Sequence, residues 1–375
     1  MFTVSRLPVL RLALTFAMLV AGVATFAPVR AQDSEPLKVV ATFSILADWV
    51  QNVGGENIEL TTIVPAGGDA HTFDPSPEQV ASVADADLIF EIGLGFESWL
   101  DDMVDASGST AERVVVSDGV DLLTADGDHA DEEHEGEASP EGEAHADDHE
   151  GEAHADEHEG EASPEGDDHA ADGEEHVDEH EGDEHADEEA GHDHGEYDPH
   201  IWGDVANAMT AVDVINAHLN EADPDNAAAY DANAAAYVTE LGDLDTYVRD
   251  AAGAIPEGGR NLVTTHDTFG YYADAYDFVV VGTALNSLST EGGDPPASEI
   301  AALVEQIQAE GVPAIFAENV SNNDLMQTIA DEAGVTLAPP LYTDALGEPG
   351  SDGETYVAMM TYNTDTIATA LAGGE

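Results

Sequence analysis

The chain has 375 residues and no cysteine, and 81 acidic residues stand against 7 basic ones, giving a formal net charge of −74. This charge excludes nucleic acid as a partner and disfavours an anionic membrane surface, because both need a basic footprint. The lack of cysteine excludes disulfides, thiolate metal sites and a lipid-carrying cysteine, so any bound metal must be held by nitrogen and oxygen ligands.

The N-terminus predicts a secretory signal peptide over residues 1–31. Arg6 and Arg11 precede an apolar run over 12–27, and small residues suited to the −3 and −1 positions of a cleavage site follow at Val29 and Ala31. An uncleaved membrane anchor is the alternative, although ~16 apolar residues fall short of the ~20 that a spanning helix needs. We therefore expect a secreted, non-lipidated protein in the periplasm or on the extracytoplasmic face.

Residues 32–222 predict an N-terminal α/β lobe, in which short apolar runs alternate with helix-like segments. Such alternation is typical of a parallel sheet with helices on its faces. The predicted strands are Leu37–Phe43, Ile58–Val64, Leu88–Glu91 and Val114–Val116. The predicted helices are Ile45–Val53, Pro77–Ala84, Glu97–Met103 and Val205–Leu219.

Residues 126–197, an insert in this lobe, differ from the rest of the chain. They hold 33 of the 81 acidic residues and 12 of the 16 histidines, and the string His134–Gly142 recurs at His158–Gly166. We expect disorder, because the insert has too little apolar surface to offset the entropy of ordering it. It is either a solvated spacer or a loop in which pairs such as His176 and His180 collect zinc weakly. We favour weak zinc collection.

A long helix over 223–255 is predicted to join this lobe to a second one at 256–375. Asp223 supplies its cap and Pro224 its first position. A ~30-residue helix is long for one lobe and suits a rigid strut. The strands predicted beyond it are Asn261–Thr265, Phe278–Ala284, Ala314–Glu318 and Thr336–Leu341. The helices predicted there are Phe269–Ala275, Ser298–Glu310, Asn323–Ala333 and Tyr356–Leu371. The predicted fold is α/β, with two Rossmann-like lobes of parallel strands.

Four histidines lie outside the insert, and three of them occupy loops where such a fold builds sites. His71 and His266 follow predicted strands, as does Asp344, while His200 lies in the loop after the insert. Open α/β sheets bind ligands at the carboxyl ends of their strands, and three imidazoles with one carboxylate satisfy tetrahedral Zn²⁺. The residues alone also allow satisfied or surface histidines, which is the interpretation we favour for His218 within a predicted helix.

Several segments, in order, resemble the zinc and manganese class of ABC-transporter solute-binding proteins, over nearly all of the mature chain except the insert. Two departures, Ala70 in place of a usual proline and Gly203 in place of a common leucine, alter no ligand but could loosen the loops. The matching segments are Val40–Asp48, Ala70-His71-Thr72-Phe73-Asp74-Pro75, Asp198-Pro199-His200-Ile201-Trp202, Thr265-His266-Asp267-Thr268-Phe269-Gly270-Tyr271, Leu341–Leu346 and Thr355–Asn363.

The resemblance implies that His71, His200, His266 and Asp344 hold a metal in a cleft between the lobes. Members favouring manganese often carry Glu at the third position, and nitrogen-rich coordination favours Zn²⁺, with Mn²⁺ or Fe²⁺ possible. Glu318 either accepts a hydrogen bond from a ligand histidine or is a solvated strand-end carboxylate. The resemblance further implies a monomeric metal carrier that delivers zinc to a membrane permease, without catalytic residues or a cofactor.

Two other functions remain open. A zinc hydrolase would need an open coordination position and a general base, yet the chain has no His-Glu-x-x-His sequence, and four protein ligands would close the site. A metal-binding surface adhesin is the second alternative, and no wall-anchoring signal supports it.

Overall fold

The computed structural model describes residues 35–124, 196–285, 287–290 and 295–372. The predicted signal peptide and nearly all of the predicted insert therefore lie outside the described residues. The last residue assigned to the insert, Tyr197, is described and pairs with Thr124 in an isolated antiparallel bridge. The chain thus leaves and re-enters the first lobe at adjacent points.

The first lobe is built on a four-stranded parallel sheet in the order β2-β1-β3-β4. The central strand β1 is apolar and buried from Val39 onward, as expected where both faces are covered by helices. The strands are β1 (Leu37–Phe43), β2 (Ile58–Val64), β3 (Leu88–Glu91) and β4 (Glu112–Val115). The helices are α1 (Ser44–Gly54), α2 (Pro77–Val83), α3 (Leu100–Ser107) and α4 (Val205–Ala222).

The predicted start of α3 at Glu97 is wrong. The helix begins at Leu100, because residue 97 belongs to the preceding loop. The Glu97 carboxylate accepts hydrogen bonds from the backbone N–H groups of Ile92 and Gly93, at 2.8 and 3.1 Å. Those bonds fold residues 92–97 into a loop rather than a helical turn.

The joining helix α5 (Ala227–Gly253) has 27 residues, and its predicted start at Asp223 is also wrong. Asp223 closes α4 instead, with its N–H bonded to the Leu219 carbonyl at 2.9 Å. Its carboxylate accepts from Asn226 Nδ2 and the Tyr230 hydroxyl, at 2.7 and 2.9 Å. The chain turns before α5 can begin because Asp223 is engaged in this way.

The strands of the second lobe form two parallel pairs among the described residues, β5 with β6 and β7 with β8. Most predicted elements are confirmed to within one or two residues. The strands are β5 (Asn261–Thr264), β6 (Val279–Thr283), β7 (Ala314–Glu318) and β8 (Thr336–Leu341). The helices are α6 (Gly270–Tyr276), α7 (Ala297–Glu310), α8 (Asp324–Ala333) and α9 (Tyr356–Leu371).

One hydrophobic core runs through both lobes. Helix α9 of the second lobe packs on α1 and α5, and the Trp49 and Tyr356 rings meet edge to face with centroids 5.3 Å apart. The same cluster of buried side chains includes Phe316 and Leu341 of the second lobe. The lobes are therefore joined by packed side chains as well as by α5, which limits their relative movement. Among the described helices, none has both the length and the apolar character to cross a bilayer.

The charge balance predicts a salt-dependent stability. Each arginine that the structure describes is paired with a carboxylate, as Arg249 is with Asp245 at 2.9 Å, and the 81 acidic residues of the chain far outnumber its 7 basic ones, so the carboxylates repel one another. Raising sodium chloride from about 0.1 to about 1 M shortens the Debye length from about 10 to about 3 Å and screens their repulsion. We expect the unfolding temperature to rise by several degrees, since each kcal/mol added to the free energy of unfolding raises it by about 2–4 °C. A calorimetric unfolding temperature that is flat or falls with salt would contradict this.

Candidate metal centre

Four side chains converge where the strands of both lobes end. His71 lies in the loop after β2, and His200 precedes the short 3-10 turn Ile201–Gly203 that leads into α4. His266 follows β5, and Asp344 follows β8. All four are buried, with His71 exposed by 6% and the other three by 0%. The structure thus brings together the complete set that the sequence predicts.

The four groups are spaced as a tetrahedral site requires. One ligand atom from each lies within 4.8 Å of the other three, and this is the one such group among the described residues. His71 Nε2 lies 3.3 Å from His200 Nε2, and His266 Nε2 lies 3.1 Å from Asp344 Oδ2. Zinc bonds of about 2.0–2.1 Å in a tetrahedron put neighbouring ligand atoms about 3.3 Å apart. These two separations therefore match a zinc-sized ion, and the wider ones in the group, all within 4.8 Å, would contract around it.

Two buried polar atoms in this cluster form no hydrogen bond of regular geometry in the described structure. They are His266 Nε2 and Asp344 Oδ2, which lie 3.1 Å from each other. Leaving a buried polar atom without a partner costs about 1–3 kcal/mol. A cation bound between these atoms would satisfy both of them.

Asp198 fixes the orientation of His200. Its Oδ1 lies 2.7 Å from His200 Nδ1 and accepts the His200 backbone N–H at 2.9 Å. Because a carboxylate accepts, Nδ1 carries the proton and the lone pair of Nε2 faces the other ligands. The Asp198 backbone is itself held by Leu123, whose carbonyl accepts its N–H at 2.9 Å.

Glu318 orients His266 in the same way, which is the first of the two interpretations that the sequence leaves open. Glu318 Oε2 lies 2.5 Å from His266 Nδ1, and Oε1 accepts the backbone N–H groups of Thr265 and His266 at 2.9 and 3.0 Å. Glu318 is fully buried at the end of β7, so the alternative of a solvated carboxylate is wrong.

The loop that carries Asp344 is clamped by residues of the first lobe. Trp202 Nε1 donates to the Thr343 carbonyl at 2.9 Å, and Ser44 Oγ accepts the Leu346 N–H at 2.9 Å. From its own lobe, Asn319 Oδ1 accepts the Thr343 N–H at 3.1 Å. These bonds place a second-lobe carboxylate against first-lobe histidines.

The electrostatics of the centre favour a neutral His71 beside an ionised Asp344, with one exception among the rings. Burial lowers the pKa of His71 to about 4, although the charge of Asp344 opposes it. Burial alone would raise the pKa of Asp344, but His266 and the other two histidines lower it below its ordinary value. The exception is His266, where burial favours the neutral ring but Glu318 and Asp344 together raise the pKa well above its ordinary value.

The remaining residues singled out in the sequence have clear places. His218 lies on α4 away from the centre, part-exposed, with Nδ1 3.0 Å from Glu112 Oε1, as predicted for a surface histidine. The Ala70 carbonyl accepts from Trp99 Nε1 at 2.8 Å, so the loop stays anchored without proline. A Cβ on Gly203 would lie 3.0 Å from the Tyr272 backbone nitrogen. Glycine there permits close packing of α6.

Sequence reasoning missed how the supporting residues act. Asp198 and Trp202 stand inside a motif singled out in the sequence, and their spacing from His200 is the signal that identifies them. Ser44 also lies in a matching segment, Val40–Asp48, but its partner is 302 residues away along the chain, so the segment does not reveal the contact. Asn319 lies outside the matching segments.

Gly270 offers a test of the role of Asp198 in orienting His200. A Cβ at this position would overlap Asp198 Oδ2, so Gly270→Ala should displace that carboxylate and turn the His200 ring. We expect metal affinity to fall about ten- to a hundredfold, the usual effect of disturbing such a partner. A competitive chelator titration measures it. Gly242→Ala on α5, where a Cβ meets nothing within 4 Å, is the matched control. Equal affinities in the two variants would contradict the role of Asp198.

Comparison with known proteins places the chain among metal carriers. A family model described as zinc-uptake complex component A, periplasmic (ZnuA) matches residues 39–370. The manganese-binding lipoprotein MntA of Halalkalibacterium halodurans is 32% identical over 360 residues, 96% of each chain. The manganese ABC transporter substrate-binding lipoprotein PsaA of Streptococcus pneumoniae is 28% identical over 91% of each. Among solved structures, the periplasmic zinc binding protein TroA of Treponema pallidum is 25% identical with a TM-score of 0.67, over 90% of this chain and 99% of that one.

Proposed function

The chain belongs to the ZnuA family of periplasmic solute-binding proteins of metal ABC transporters, and on that premise we propose that it captures Zn²⁺ through His71, His200, His266 and Asp344. Members of this family work outside the cytoplasm with a membrane permease and are carriers, not enzymes. The observation that supports our ligand assignment is the convergence of four buried ligand atoms within 4.8 Å, from loops of both lobes.

Zinc is the cargo that the donor set favours. Three imidazole nitrogens and one carboxylate oxygen match tetrahedral Zn²⁺, whereas Mn²⁺ prefers oxygen ligands and higher coordination. Asp198 and Glu318 hold two of the rings through Nδ1, so their Nε2 atoms already face the other ligands.

Manganese is the second candidate, and a specific observation favours it. MntA and PsaA, which match nearly the whole chain, are described as manganese-binding and manganese-transporter proteins. TroA, which shares the fold, is described as zinc binding. Overall similarity thus extends to carriers of both metals, and our proposal of zinc rests on the ligands themselves.

A competition experiment separates the two metals. Metal-free protein is titrated with Zn²⁺ and with Mn²⁺ against chelators of known affinity, and the two dissociation constants are compared. We expect one tight zinc per chain and a manganese affinity lower by at least about a hundredfold, in line with the Irving–Williams order. A protein that binds manganese as tightly as zinc would contradict zinc as the preferred cargo and would favour manganese, the metal named for MntA and PsaA.

We also propose the features that accompany this role. The mature chain would comprise lobes at 32–222 and 256–375 joined over 223–255, after removal of residues 1–31. Because the sequence contains no cysteine, attachment through a lipidated cysteine, as the lipoprotein relatives imply for themselves, would not apply to this chain. Mass spectrometry of the secreted protein would reveal both the cleavage site and any lipid.

A further inference from the structure

A buried aromatic triad lies behind the two histidines of the first lobe. Phe43, Phe96 and Trp202 are each exposed by 3% or less. The Phe96 centroid is 5.0 Å from Phe43 and 5.0 Å from Trp202. Phe96 is the member of the triad that meets both of these histidine rings edge to face, with centroids 4.8 Å from His71 and 6.2 Å from His200. The triad is therefore a rigid apolar wall against the metal centre.

The wall covers one side of the ligand set. The three imidazole centroids form a nearly regular triangle, with separations of 5.4 Å for His71–His200, 5.7 Å for His71–His266 and 5.3 Å for His200–His266. Phe96 lies against the edge between His71 and His200. On that side, the hydrocarbon of Phe96 packs against the two ligand rings and offers a water molecule no hydrogen-bond partner.

We infer that Phe96 is a specificity-determining residue, which restricts the bound metal to its four protein ligands and thereby favours Zn²⁺ over Mn²⁺. This inference rests on the proposed function, because it takes His71, His200, His266 and Asp344 as the ligands. Zinc is satisfied by four ligands, whereas Mn²⁺ favours octahedral, oxygen-rich coordination and would need water to complete it. By excluding that water, the phenyl ring penalises manganese more than zinc.

Glu97 is the positioning residue that holds Phe96 in place. The loop carrying Phe96 has positive φ at Gly93, Leu94 and Gly95, of 77°, 57° and 81°, which is a sparsely populated conformation for leucine. Glu97 is buried and accepts from two backbone N–H groups of this loop, as described for the start of α3, and also from Thr42 Oγ1 at 2.7 Å. Burial raises its pKa to about 7 despite these donors. The carboxylate thus ties the strained loop to β1.

The test uses the full chain with Co²⁺, Zn²⁺ and Mn²⁺ as probes. Cobalt reports coordination number, since four-coordinate Co²⁺ absorbs visible light far more strongly than six-coordinate Co²⁺. We expect a strong absorption in the unaltered protein and a weaker, shifted one in Phe96→Ala. The ratio of zinc to manganese affinity should fall about ten- to a hundredfold, the range for residues that support a metal site. Phe96→Leu, which keeps most of the bulk, should show a smaller change in the same direction.

Phe278→Ala is the matched control, because it removes another buried phenylalanine, whose ring meets Tyr272 with centroids 5.3 Å apart. It should leave both the cobalt spectrum and the affinity ratio unchanged. Glu97→Gln keeps a side-chain acceptor and should retain most of the selectivity, whereas Glu97→Leu should lose it.

The outcomes distinguish a failure of the Phe96 inference from a failure of the proposed zinc capture. If Phe96→Ala lowers zinc and manganese affinity by the same factor and leaves the cobalt spectrum unchanged, the inference is overturned while the carrier stands. If the unaltered protein binds neither metal tightly, or His266→Ala binds as tightly as the unaltered protein, the proposed function is overturned, and this inference with it.

Discussion

Replacing His266 by alanine is expected to lower zinc affinity by well over a hundredfold, more than the about ten- to a hundredfold typical of a supporting residue. The substitution removes one of four ligand atoms. It also leaves Glu318 buried without its histidine partner and Asp344 without the group that most strongly stabilises its charge. A fluorescent-chelator competition at neutral pH measures the loss.

His218→Ala is the control for this experiment. His218 is also a histidine in contact with a carboxylate, Glu112, but it is part-exposed on α4 and outside the four-residue group. Its zinc affinity should equal that of the unaltered protein. Comparable losses in the two variants would mean that the buried cluster is not the zinc site.

Acidification is expected to release the metal in a defined pH range. In the metal-free protein the pKa of His266 is raised above its ordinary value, so this ring holds a proton that zinc must displace. Affinity should therefore fall once the pH drops below that raised pKa, by about tenfold for each pH unit. The pKa of His71 is lowered to about 4, so its protonation adds to the loss only in stronger acid. Titrations at about pH 7.5, 6.5 and 5.5 should show the affinity falling as the pH drops, by about tenfold for each pH unit below that raised pKa.

Calorimetry in buffers of different ionisation enthalpy independently measures the number of protons released when zinc binds. At least about one proton should be released per zinc bound at mildly acid pH. Glu318→Gln removes a cause of the raised pKa of His266, so it should move the fall in affinity to lower pH. An affinity that is unchanged between about pH 7.5 and 5.5 would rule out histidine ligation.

The strands were the most predictable part of the fold. Five of the eight, including Leu37–Phe43 and Thr336–Leu341, have the bounds read from the sequence, because a buried parallel strand is an apolar run with polar or turn residues at its ends. Helix starts were less predictable. Asp223 and Glu97 both look like helix-starting residues, yet each uses its carboxylate for loop contacts that the local sequence does not reveal.

The four candidate ligands were predictable because each stands in a loop after a strand or in a recognisable motif. The residues that hold these ligands in place were only partly predictable. Glu318, which ends a strand of its own, had two open interpretations, a histidine partner or a solvated carboxylate, and its burial in the folded chain decides between them. The clamp on Asp344 was not, because Ser44 and Trp202 reach it from the other lobe and depend on how the two lobes pack. Such contacts are properties of the tertiary structure, which no local pattern encodes.

The most direct test of the central claim is a zinc titration of a variant lacking residues 126–196, with a competing chelator. That deletion removes 12 of the 16 histidines and leaves the four candidate ligands intact. We predict one tight zinc per chain in this variant, lost when His266 is also replaced by alanine. A variant without any tight zinc would show that the histidine-rich insert, and not the buried cluster, is where the metal binds.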